Sequence, residues 1–141
     1  MKKLILLSSA FIILLCANSF SQSTLHLENH TNCDIVVAID SYDMNTCSYN
    51  GSTLVSVPPN SSVPLNSLSA TSEWVIARFT PKSCYPNNFA PIEADGLNNC
   101  LPCPSFGFQS QVNYSQCPNC APFQAIWNTY CGSNNPHLHF I

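Results

Sequence analysis

Charge is scarce in this sequence. Asp, Glu, Lys and Arg make up only 8% of the 141 residues, and the four cations are Lys2, Lys3, Arg78 and Lys82. No basic cluster exists, which argues against nucleic acid as a partner, because affinity for phosphates comes from grouped Lys and Arg. The same shortage argues against an anionic membrane surface. Glycine is scarce as well, at four residues. There is no phosphate-cradling glycine loop and no Gly-x-Ser-x-Gly nucleophile elbow. No apolar run reaches the roughly 20 residues of a membrane span, no internal repeat is visible, and no long amphipathic helix can be drawn.

The longest apolar run, Leu4 to Leu15, is broken by Ser8 and Ser9 and follows Met1-Lys-Lys3. A basic start, a short apolar core and a small-residue exit predict a cleaved secretory signal peptide over residues 1–21. Ser19 and Ser21 supply the small residues before a cut at Gln22. Cys16 offers a lipoprotein alternative, but Leu15 is too bulky for the residue that precedes a lipidated cysteine. The expectation is one secreted or periplasmic domain, residues 22–141, with a core of modest size. Its charge is two cations (Arg78, Lys82) against seven carboxylates, net −5 with neutral histidines.

Cysteine is what the chain has in abundance. Cys33, Cys47, Cys84, Cys100, Cys103, Cys117, Cys120 and Cys131 remain beyond the leader. An even number in a small exported chain predicts a disulfide framework, with the pairing left open. Two other uses compete. Cys100-Leu-Pro-Cys103 and Cys117-Pro-Asn-Cys120 have the form of two zinc knuckles, although their separation is short and export favours disulfides. Either Cys-x-x-Cys pair could also be a redox centre, but no Lys or Arg lies near to lower a thiol pKa.

Short alternating segments fill the rest. Leu25 to His30 alternates apolar and polar residues, Asp34 to Asp40 is rich in β-branched residues, and Thr53 to Val57 makes a third strand. Asn50-Gly51 marks a turn between the second and third. Val63 to Leu65 is extended, and Pro64 assigns it to an edge. Glu73 to Thr80 puts Val75, Ala77 and Phe79 on one face and Trp74, Ile76 and Arg78 on the other. Pro81 to Cys103 is rich in loops and proline, with a short strand at Ile92. Ser105 to Tyr114 alternates and places Phe106 and Phe108 on one strand face. Phe123 to Tyr130 fits a strand or a short helix, and His137 to Ile141 is a closing strand. The predicted fold is all-β, a small antiparallel β-sandwich stabilised by disulfides, with a loop-rich Cys/Pro segment.

Asn29, Thr31 and Cys33, the strand Ile35 to Ile39, the turn Pro59 to Ser62, and Trp74 with Arg78 resemble the opening of thaumatin-like β-sandwiches. The resemblance covers the first half of the mature chain and implies a sandwich. The acidic cleft of that family has no counterpart here.

Three chemistries are open. All four histidines lie in the two terminal strands. A period of two puts His26, Glu28 and His30 on one strand face, and His137 with His139 on another. If the strands are neighbours, imidazoles and a carboxylate suit Zn²⁺ or Cu²⁺; otherwise these are the solvent faces of two half-buried strands. Glu73, Glu93 and Asp95 could supply the acid and base of a small secreted hydrolase. The aromatics Tyr42, Tyr49, Trp74, Tyr85, Phe106, Phe108, Tyr114 and Trp127 exceed what a small core needs, and any that are not core suit contact with a surface glycan or an extracellular protein. Asn29, Asn50, Asn60 and Asn113 head N-glycosylation patterns. The primary expectation is a secreted binding module without catalytic residues or cofactor; a metal-binding protein is the alternative and a hydrolase the second.

Overall fold

The computed structural model describes residues 24–94, 105–128 and 136–141. The described residues form nine strands: β1 (Thr24–Asn29), β2 (Ile35–Asp43), β3 (Ser48–Val57), β4 (Ser61–Asn66), β5 (Ser72–Pro81), β6 (Ala90–Glu93), β7 (Gln111–Tyr114), β8 (Phe123–Asn128) and β9 (His137–Phe140). The one helical piece among the described residues is the 3₁₀ turn Lys82–Cys84, so none of them forms a helix long and apolar enough to cross a membrane. Two sheets result, ordered β4-β1-β9-β8-β7 and β3-β2-β5-β6. The architecture is the expected sandwich with one departure from antiparallel pairing: β1 and β9 run parallel.

Alternation decides which face each strand buries. Leu25, Leu27, Leu138 and Phe140 from the first sheet, and Ile35, Val37, Ile39, Val75, Ala77 and Phe79 from the second, are fully buried between the sheets. At the centre Phe79 packs against Tyr114, Phe123 and Phe140, with ring centroids 5.3–5.9 Å apart. Burial of each such ring contributes about 1.5–3 kcal/mol.

Disulfides close one end of the sandwich. Cys33–Cys120 and Cys84–Cys117 span 87 and 33 residues of sequence. Both tie the β7–β8 loop, in the first sheet, to the ends of strands in the second. On chain-entropy grounds each contributes on the order of 4 kcal/mol. Cys47 is disulfide-bonded too. Cys117 and Cys120 thus belong to separate bridges; neither is a zinc thiolate, and they are not a redox pair. Cys100, Cys103 and Cys131 lie outside the described residues, as does the expected signal peptide over residues 1–21.

Two local expectations are corrected. Asn50-Gly51 does not turn the chain; both residues lie inside β3. The reversal occurs at residues 44–47, where the Asp43 carboxylate accepts hydrogen bonds from the amides of Asn45 and Thr46 at 2.9 and 3.0 Å, and the Cys47 amide returns to the Asp43 carbonyl. An Asx-type cap therefore outcompetes the Asn-Gly signal. Gly51 is needed because its φ is +146°, a backbone conformation that residues with a Cβ rarely adopt. Secondly, Ser105 to Tyr114 is a strand only from Gln111. Gly107 has φ +86°, which breaks the alternation at the Phe106–Phe108 tip.

Asn29 joins the two sheets. Its side chain, fully buried, donates to the carbonyls of Cys33, Val57 and Pro58 at 2.7, 2.8 and 3.0 Å. Its Oδ1 accepts from the amide and hydroxyl of Thr31 at 3.0 and 2.7 Å. The amide is thus fully used within the fold and cannot accept a glycan, contrary to its sequence pattern. Asn29→Ala leaves these carbonyls without a partner and is expected to lower the unfolding free energy by about 1–3 kcal/mol in urea denaturation. Asn113→Ala, on the exposed surface, is expected to change it by less than about 0.5 kcal/mol.

Candidate metal centre

The parallel β1–β9 register sets His26 opposite His137 and Glu28 opposite His139. Backbone bonds fix it at both ends: the His26 amide donates to Pro136 and the His30 amide to Phe140, at 2.9 and 2.8 Å. Leu25, Leu27, Leu138 and Phe140 point into the core, so the intervening polar side chains all rise from the outer face of the sheet. Period two thereby gathers residues more than a hundred positions apart onto one patch.

Glu28 is its centre. Oε1 lies 2.7 Å from His137 Nδ1, and Oε2 lies 3.1 Å from His139 Nδ1 and 3.4 Å from His30 Nε2. The rings stack in a ladder. His30 and His139 centroids are 6.2 Å apart, His139 and His137 5.5 Å, and His137 and His26 5.1 Å, with interplanar angles of 11–19°. Glu28, His30 and His139 each bring a donor atom within 4.8 Å of the other two. His137 binds the remaining carboxylate oxygen and orients it; His26 stacks one ring further out. All five histidine-face residues expected from the sequence converge, in two tiers.

The electrostatics follow from this packing. Burial alone would raise the Glu28 carboxyl, but the His137 hydrogen bond and the nearby His139 and His30 rings outweigh it and hold the group below its ordinary 4.5. Burial pushes His139 below its ordinary 6.5, and repulsion from His137 and His30 adds to this against the opposing pull of Glu28. Near neutral pH the patch is therefore a carboxylate beside a neutral His139 imidazole, the protonation states that a metal ion requires.

Glu93 is buried, with its oxygens accepting the Phe106 and Phe108 amides at 3.0 and 2.9 Å; it clasps the aromatic tip. The register of β5 on β2 shifts at Val75, so Trp74 pairs with Ser41 and Glu73 with Tyr42; this bulge returns Glu73 to the face of Ile76, the residue paired with Glu93. Asp95 lies outside the described residues. Sequence reading missed Asn29 as a structural pin, although its parity with Leu25 and Leu27 marks it as an inward polar residue that must be bonded.

Comparison of the chain with protein-family models, curated proteins and solved structures finds no match. The thaumatin-like resemblance of its first half accordingly contributes a fold class and no family.

Acid should weaken the fold through this patch. As pH falls, the unfolded chain takes up protons first at both groups, near 6.5 for His139 and near 4.5 for Glu28. Stability present at neutral pH is therefore lost in two steps as pH drops through each folded value. Urea midpoints at pH 7, 5.5 and 4 should decline in that order, and Glu28→Gln should flatten the lower step. An unchanged lower step in that variant would reject the assignment.

Proposed function

We propose that this protein is an exported, disulfide-stabilised β-sandwich that binds a divalent transition-metal ion, Zn²⁺ or Cu²⁺, through Glu28, His30 and His139. The observation that carries the reading is the spacing around Glu28 Oε2, 3.1 Å to His139 and 3.4 Å to His30. With metal–ligand bonds of about 2.0–2.1 Å, adjacent donors are separated by about 2.9 Å at right angles and about 3.3 Å at the tetrahedral angle. Two of the three donor separations are thus close to such an edge, and the third is within 4.8 Å. Two imidazoles and a carboxylate are the ligand set expected for zinc or copper and not for calcium or magnesium. His137 supplies the outer hydrogen bond that fixes the ligating carboxylate. Export rests on the leader-like first 21 residues and on the disulfides, which persist in oxidising compartments.

Purified protein freed of metal is expected to take up one Zn²⁺ or Cu²⁺ per chain in calorimetry and metal analysis. The double variant His30→Ala/His139→Ala, with its circular dichroism unchanged, should lose that binding. His137→Ala should weaken it about 10–100-fold. Undiminished uptake by the double variant would refute the site.

A second reading, contact with a glycan or extracellular protein, draws on the exposed aromatics. Phe106 packs on Tyr42 with centroids 4.7 Å apart, and Tyr42 meets Tyr49 edge-on at 6.0 Å. Exposed rings of this kind suit the apolar face of a sugar. The metal centre is favoured because its donors converge on a single point.

A further inference from the structure

We infer that an ion held by Glu28, His30 and His139 keeps a coordination position open to solvent, and that this position takes a small carboxylate ligand. The inference rests on the metal-binding reading and extends it to what the bound ion does.

Three donors are fewer than the four that a structural zinc site uses, and three-ligand sites are the form in which an external group can bind the ion. The fourth nearby group cannot easily complete the set. His137 Nδ1 is engaged with Glu28 Oε1 at 2.7 Å, and withdrawing it would release the carboxylate it orients. The patch lies on the outer face of the sheet, and His30 is 56% exposed, so solvent reaches the donors directly.

Charge selects the class of ligand. A divalent ion with one carboxylate and neutral imidazoles leaves a net charge of +1. The neighbours on the strands to either side do not cancel it. Across β4, Glu28 and His26 face Ser62 and Pro64; across β8, His139 and His137 face Ile126 and Asn128. All four are uncharged. A monoanionic oxygen donor neutralises the site, and a carboxylate is the hard-oxygen form of that donor compatible with both zinc and copper.

The test uses the full mature protein loaded with Cu²⁺, with one copper per chain verified by metal analysis after dialysis. Azide, a spectroscopically visible monoanion, is expected to add a new charge-transfer band that saturates at one azide per copper. Acetate should displace it and restore the original spectrum. Copper-loaded protein whose spectrum does not respond to azide would overturn this inference while leaving the metal site intact. Displacement by neutral N-methylimidazole but not by acetate would overturn the carboxylate assignment. A folded His30→Ala/His139→Ala variant that still retains copper and still shows the azide band would place the ion elsewhere, and so overturn it. Protein that retains no copper overturns both this inference and the reading beneath it.

Discussion

The parallel pairing of β1 with β9 is the constraint on which the rest depends. Parallel neighbours cannot be joined by a tight turn; here the connection between them is the remainder of the domain. The register is set by burial, since Leu25, Leu27, Leu138 and Phe140 must all face the core. A slip of one residue by either strand would turn its own two core side chains to solvent and its histidines inward. Core and candidate site are therefore specified by the same alternation. The imidazoles meet because the aliphatic residues between them do.

What buttresses this pairing sits immediately beside it. Asn29 follows Glu28 and precedes His30, and its buried amide anchors the end of β1 to the carbonyls at the edge of the second sheet. Cys33, four residues later, is bridged to Cys120 ahead of β8, the strand that flanks β9 on its other side. The strands bearing the patch are thus fastened at one end by a hydrogen-bonded amide and a disulfide. Such anchoring limits how far the donors can move apart when no ion is present.

Much of this was legible in the sequence, for a physical reason. Strand period and polarity are local properties, so the alternation of residues 25–30 and 137–140 reveals both the strands and the face on which their histidines lie. The β-branched run of β2 is equally plain; along β5 the alternation holds from Ile76 to Thr80, and the bulge at Val75 breaks it and turns Trp74 away from the face of Ile76 and Arg78. What could not be read depends on competition or on distance. The strong Asn50-Gly51 signal lost to the Asp43 cap because a carboxylate accepting two amides defines a tighter local minimum, while Gly51 supplies the φ of +146° that β3 adopts there. Phe106 and Phe108 looked like one strand face because a sequence cannot display the φ of Gly107 or the Glu93 carboxylate that clasps the tip. Cysteine pairing and the parallel sense of β1 and β9 are long-range choices, made by topology and not by spacing.

The distance between Glu28 and His137, 109 positions along the chain, has a consequence for timing. The donor set does not exist on the unfolded polypeptide, because it is assembled only when β9 docks on β1. On the metal-binding reading proposed above, an ion would be captured only after that docking, from whichever metal pool the folded domain meets.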